Sequence, residues 1–567
     1  MNSLLLLKTQ RVIYLSLLDE GNVLEAIKCF EKYQKQLKTY ADADENIQKA
    51  ALDEFNSSRK IFLTKLNNIA TLYIKQKDYN KAMVCLSEVI LYRSKDIYCL
   101  INYILCLYNI GQFDEEEEYL SYLETLLIDD ISPEVLKTVG KMYVTIGKTE
   151  QAIVCMEKYI NILGEDKISY EDYEILGMYC NELYIHNEDN QKYSDDNLKY
   201  LLDSMDYFLK ADELNPVSPS VTRNIAVTSV LLNNLELAKL YWNKLFQIAK
   251  PTYDDLFTYS TFCLKNKDFK NFYKYFDYRL ASPNHSISFF KEKERLWKGE
   301  DITDKTVLVF WEQGFGDTIL MYGYIPRLAK IAKKVIFVVQ DEVYPLLQNN
   351  KIGADILNMS SVDVSALDFD IYLPSMSIMA VLDLDETNIS VGGGYIKADK
   401  KLAELFKDKY FNNDKFKIGI AYRGNDRGNK KRDIPIEEFE SLCKLENIEL
   451  YLLTIDITEE EYAFCKNNGI TILKKDLNNF AQTAAAIENL DIVVTSDNVI
   501  LNLAGAMGKK TFAIFNWYYE FRWFDLTGED VCWFKSVKPF VNTEMDNWKT
   551  SITRVVEEIK EIQKLQK

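Results

Sequence analysis

One six-residue pattern, returning at a near-constant step, constrains this chain more than any other feature. A small or polar residue and a polar residue precede an apolar one; two variable positions follow, and the sixth is usually Ala. The copies are Gly21-Asn22-Val23-Leu24-Glu25-Ala26, Lys77-Asp78-Tyr79-Asn80-Lys81-Ala82, Gly111-Gln112-Phe113, Gly147-Lys148-Thr149-Glu150-Gln151-Ala152, Asn233-Asn234-Leu235-Glu236-Leu237-Ala238 and Lys267-Asp268-Phe269. Steps of 34, 36 and 34 residues separate 77 from 111, 111 from 147 and 233 from 267. Another copy fits residues 209–216 and starts near Lys199, again 34 before Asn233. A period of this length holds two amphipathic helices that cannot bury their apolar faces alone, so successive units must stack into a solenoid.

These blocks resemble tetratricopeptide repeats, over an array spanning 1–280 with insertions near 38–58 and 164–196. The resemblance implies a concave surface that binds a protein or peptide segment. The run Glu115 to Glu118 reads as a solvated helix face.

Around Ser282-Pro283-Asn284 the pattern stops, and a linker is expected over 281–300. Beyond it, short β-rich runs at 307–310, 335–339, 370–373, 418–422, 450–454, 471–473, 492–495 and 511–515 alternate with helical stretches. That alternation predicts parallel sheets built of βαβ units. Gly392-Gly393-Gly394 lies between the first three runs and the rest, and marks a hinge between two Rossmann-like halves, 301–395 and 396–567.

A chain of 567 residues is too long for a single core. Its formal charge of −18 argues against a nucleic-acid footprint, which needs clustered Lys and Arg. Ten scattered Cys with no CxxC pair, and only two His, exclude zinc-finger, haem-attachment and HExxH readings. Such cysteines are expected as buried thiols in a reducing compartment. The apolar start is interrupted by Lys8 and Arg11 and is too short for a signal peptide or membrane span, so a cytoplasmic, soluble protein is expected.

Three segments of the second half carry chemistry. Glu312-Gln313-Gly314-Phe315-Gly316-Asp317-Thr318 joins a buried strand to a helix. Tyr422-Arg423-Gly424-Asn425 is followed by Lys431-Arg432-Asp433-Ile434-Pro435. Asp491-Ile492-Val493-Val494-Thr495-Ser496-Asp497-Asn498 continues through Leu503-Ala504-Gly505-Ala506-Met507-Gly508, with Arg522-Trp523 beyond. In this order, and behind the repeats, they resemble the bacterial repeat-containing glycosyltransferases related to ADP-heptose heptosyltransferases, over roughly 290–560. The resemblance implies a GT-B fold, two facing Rossmann domains with the active site between them. It implies transfer of a sugar from a nucleotide-sugar substrate without a metal or a further cofactor.

Sugar transfer needs a base for the acceptor hydroxyl and stabilisation of the departing diphosphate. By resemblance Asp317 is the base, on an acceptor-side loop with Gln313, Gly314, Gly316 and Thr318; its structural alternative is a helix cap. Asp497, Asn498 and Val499 open a helix whose N-terminus suits the donor diphosphate. Arg432 or Lys431 matches a basic position that neutralises the leaving group, and Arg423 and Gly424 belong to the same cleft. Asn502 stands where relatives commonly carry His, so it can donate a hydrogen bond but supplies no charge. The expected acceptor is a protein or peptide held by the repeats. A glycan or lipid-linked acceptor, or a non-catalytic scaffold with a degenerate transferase half, are the alternatives.

Overall fold

The computed structural model describes residues 2–40, 43–127, 131–189, 196–281, 293–424, 432–544 and 547–565. Its contacts divide the chain into two compact units, Met1–Leu183 and Tyr184–Lys567.

The first unit is entirely helical among its described residues. Its helices are α1 (Asn2–Asp19), α2 (Val23–Leu37), α3 (Glu45–Lys75), α4 (Tyr79–Tyr92), α5 (Ile97–Ile110), α6 (Phe113–Leu126), α7 (Pro133–Thr145), α8 (Thr149–Leu163) and most of α9 (Tyr170–Asp189). The insertion before the second copy lengthens α3 to 31 residues. In the second unit the helical pairs continue as α10 (Asp196–Leu214), α11 (Pro219–Leu231), α12 (Leu235–Ile248), α13 (Tyr253–Lys265) and α14 (Phe269–Phe276).

The six-residue pattern is a helix-to-helix turn. Its first residue is left-handed in every copy: φ is +80° at Gly21, +60° at Lys77, +79° at Gly111, +76° at Gly147, +55° at Asn233 and +57° at Lys267. The second residue then donates its N–H five positions back, to Leu17, Tyr73, Leu107, Tyr143, Ser229 and Cys263, at 2.7–3.0 Å. This is the Schellman closure, which satisfies the last carbonyls of one helix while turning the chain into the next. Asp78, Asn234 and Asp268 also cap the new helix through their side chains. The sixth residue must be small because it is sealed against the partner helix: Ala26, Ala82, Ala152 and Ala238 are fully buried.

Two all-parallel sheets follow. The first has the order β3-β2-β1-β4, with β1 Thr306–Phe310, β2 Lys334–Val339, β3 Asp355–Asn358 and β4 Ile371–Pro374. The second has the order β10-β9-β8-β5-β6-β7, with β5 Phe416–Ala421, β6 Ile448–Leu452, β7 Thr471–Ile472, β8 Ile492–Ser496, β9 Thr511–Phe515 and β10 Val537–Val541. The strand runs are continuously apolar because helices cover both faces. Strands β3 and β10 are absent from the sequence expectation. The first is four residues with one buried position, and the second carries Lys538 and Pro539 inside an edge strand, where a missing N–H is tolerated.

The three-glycine tract is packed backbone on backbone. An added Cβ at Gly393 would lie 2.8 Å from the Gly505 carbonyl oxygen, and Ile396 N–H donates to Ala506 at 3.2 Å. Close approach accounts for the glycine at 393.

Candidate active site

Each sheet reverses its winding once. The first runs β1, β2, β3 to one side and places β4 on the other, so its switch point lies at the end of β1. The second runs β5, β6, β7 to one side and β8, β9, β10 to the other, so its switch point lies between β5 and β8. Crevices at the carboxyl ends of parallel strands open at such points. The acidic turn after β1 and the Ser496-Asp497-Asn498 turn after β8 both stand there.

The turn after β1 is held from behind. Glu312 is fully buried and paired with buried Arg279, at 2.8 and 3.0 Å through its two oxygens, and it also accepts the Met376 N–H at 2.7 Å. Gln313 is left-handed at φ +62°, a strained conformation for a non-glycine residue. Helix α15 (Phe315–Tyr322) starts at once. Asp317 uses one oxygen to accept the Gly314 N–H at 3.0 Å, and the other accepts from Arg522. It secures the helix start from inside the first turn, the cap position itself being Gly314. Thr318 faces away, donating to Gln340 at 2.8 Å.

On the opposite side, Asn498 caps the Val499–Met507 helix by accepting the Ile500 N–H at 2.8 Å, and donates to Ser496 Oγ at 3.0 Å. Asn502 donates to the Asn498 carbonyl at 3.4 Å. The two helices meet where Gly316 has no side chain. A Cβ there would sit 2.7 Å from Asn502 Nδ2 and 3.6 Å from Val499 Cα.

This approach brings the buried Asp317 and Asp497 into one cluster with the partly exposed Arg432, Glu520 and Arg522. Arg522 donates to Asp317 Oδ1, lies 2.8 Å from Glu520 Oε2 and reaches Gln313 Oε1 at 3.4 Å. Arg432 Nη1 lies 3.6 Å from Asp497 Oδ2 and 3.5 Å from Glu520 Oε1. Burial raises the Asp317 carboxyl above the ordinary range against the opposing charge of Arg522. It pushes Asp497 up to about 6, with Arg432 opposing. Glu520 is held low, chiefly by Arg522.

Arg423 makes its pair away from this cluster, whereas an added Cβ at Gly424 would lie 3.9 Å from Asn498 Cβ. Arg423 pairs with Glu461, and Gly424 N–H donates to Asp433 at 3.2 Å. Arg423 lines a cavity of about 280 Å³ with Ile434, Pro435, Thr458 and Glu461, beyond the ends of β5 and β6. Lys431 and Asn425 lie outside the described residues. Glu520 is absent from the sequence reading, and Arg522 appears there only as part of a motif. Their place depends on the loop after β9 crossing to the other sheet, and Arg522 meets Asp317 over 205 residues of sequence.

That loop is also braced by the repeat helices. Lys265, buried at the end of α13, sets its ammonium 4.6 and 4.8 Å from the ring centres of Tyr518 and Tyr519, and Phe269 of α14 packs edge-on to Phe524 at 5.5 Å.

The ten cysteines are free thiols. No described helix is long and apolar enough to cross a membrane.

A tetratricopeptide-repeat family model matches residues 66–96, from the last part of α3 through α4 to the start of α5. Protein FlbA of Caulobacter vibrioides is 23% identical over 295 residues, which is 46% of this chain and 47% of that protein. The chain thus spans about half the length of this curated relative. Among solved structures, pilF of Pseudomonas aeruginosa aligns with a TM-score of 0.30 at 15% identity, covering 40% of this chain and 92% of that one. MamA from Desulfovibrio magneticus RS-1 aligns with a TM-score of 0.26 at 14% identity, covering 33% and 94%. The chain carries a tetratricopeptide repeat in its helical half, and its second half is an α/β assembly of parallel sheets.

Proposed function

We propose that the two-sheet half is a GT-B-type glycosyltransferase that moves a sugar from a nucleotide-sugar donor to an acceptor, a protein or peptide held by the repeat helices. One observation carries the reading: the acid after β1 and the acid after β8, each at a switch point of its own sheet, meet in one cluster with two arginines. Asp317 takes the proton from the acceptor hydroxyl, for which its burial-raised carboxyl is suited. Arg432 and Arg522 neutralise the departing diphosphate, and the N-terminus of the Val499–Met507 helix adds its free N–H groups. The reaction requires neither metal nor further cofactor in this reading.

A thermal-shift panel of ADP-, GDP-, UDP- and CMP-linked sugars identifies the donor, since a ligand at a hundred times its Kd stabilises by about 2.7 kcal/mol. Release of the nucleotide in the presence of the cell's own protein extract reads turnover. Asp317→Asn is expected to keep the thermal shift and lose turnover by about 100-fold or more. Unchanged turnover removes Asp317 from the mechanism.

A second reading, a repeat scaffold with a non-catalytic α/β half, is favoured by Asn502, whose amide is spent on the Asn498 carbonyl and on packing against Gly316. It predicts no shift with any nucleotide sugar.

A further inference from the structure

We propose that Glu520 is an internal stand-in for the donor diphosphate, occupying both phosphate-binding arginines until the donor arrives and leaving when it does. This rests on the glycosyltransferase reading above. The carboxylate bridges the pair, with Oε1 3.5 Å from Arg432 and Oε2 2.8 Å from Arg522. To a guanidinium, a carboxylate and a phosphate present the same kind of charged oxygen edge.

The cluster is incomplete as it stands. Arg522 Nε is buried and donates to nothing, and Asp497 Oδ2 is buried without a hydrogen bond, facing Arg432 Nη1 across 3.6 Å. Orphaned donors and acceptors packed together mark a network that a ligand completes. The charges agree. Three carboxylates face two guanidiniums, one formal negative charge in excess. With Glu520 turned out the remaining groups balance: Arg522 keeps Asp317 and Arg432 keeps Asp497, and the edge of each guanidinium that Glu520 had covered is free for an incoming anion.

Glu520 is free to turn. Its side chain is 25% exposed and its backbone is extended at φ −61°, ψ 151°. The loop itself is fixed by Lys265 over Tyr518 and Tyr519 and by Phe524 between Phe269 and Trp533, so the side chain moves and the loop stays.

A site that occupies itself nine-tenths of the time binds its ligand about tenfold more weakly than an open one. Calorimetric titration of the full chain with inorganic pyrophosphate, and with the nucleoside diphosphate of the donor, measures this. Glu520→Gln removes the charge in the same shape. Glu520→Asp keeps the charge but is one methylene too short to span both arginines. Both are expected to bind about tenfold tighter than the wild type. Tightening by Gln alone identifies repulsion through space and overturns the stand-in. Equal or weaker binding by both variants, with a binding wild type, overturns it while leaving the transferase reading intact. If no protein of the series binds either probe, the transferase reading fails and this inference with it.

Discussion

Asp497 carries the cost of ionising inside the cleft. Its carboxyl titrates near 6 in the folded protein because burial disfavours its charge more than Arg432 restores it. Between the ordinary carboxyl value of 3.8 and about 6 the folded chain holds a proton that the unfolded chain has released. The stability tied to that proton is full below the first value and lost as pH rises through the second. Asp497→Asn carries no such charge at any pH. Its stability relative to the wild type is therefore expected to match near pH 4 and to gain on the order of 1–3 kcal/mol by pH 7, read as the difference between the two unfolding curves. A difference that stays flat with pH would place the carboxylate in a better-solvated site. Asp497 and Asp317 are legible in the sequence because each follows a buried strand and opens a helix. Glu520 is not, because an acid in an irregular loop acquires meaning only from the arginines that the other elements bring to it.

Two helix starts have to approach almost to backbone contact for the cluster to form, and Gly316 is what allows it. Gly316→Ala would drive a methyl group to within 2.7 Å of Asn502 Nδ2, with Asn502 Cγ at 3.3 Å behind it. Overpacking of this kind costs about 1–3 kcal/mol. Asn502→Ala alone loses only a long hydrogen bond to Asn498 and should cost about 1 kcal/mol or less. In the double variant the methyl occupies the space that the amide vacates, so its cost in denaturant unfolding is expected to fall below the sum of the singles. Additivity would show that the helices part instead of repacking. The same contact shows the limit of reading elements one at a time. The repeat turns are legible because their left-handed residue, cap and Ala recur locally, and eight of the parallel strands are legible as apolar runs flanked by helical stretches. The position of Gly316 opposite Asn502 depends on how two sheets face one another, which no local periodicity encodes.

The division of the chain into Met1–Leu183 and Tyr184–Lys567 assigns the last repeat helices to the α/β half. The chemistry of the join explains why. Arg279, just beyond α14, is buried against Glu312, and also donates to Ser377 Oγ at 2.9 Å. Lys267 reaches Asp525 at 2.8 Å, and Phe272 and Phe276 are buried. A chain beginning at residue 293 keeps every strand but loses Arg279, leaving the Glu312 carboxylate buried without its cation. Breaking one side of such a pair costs about 3–5 kcal/mol, a large part of the 5–15 kcal/mol that holds a typical domain together. The shortened chain is expected to be insoluble or to unfold without a cooperative transition, whereas a chain beginning at Asp196 retains Arg279 and unfolds cooperatively. Arg279→Met in the full chain isolates the ion pair from the lost apolar contacts. It should destabilise the α/β transition by about 3–5 kcal/mol, and Glu312→Gln added to it should restore part of the loss by removing the stranded charge. If the chain from 293 unfolds as cooperatively as the chain from 196, the helices at the end of the array are a spacer. The loop of Gln313 and Asp317 is then held by its own sheet alone.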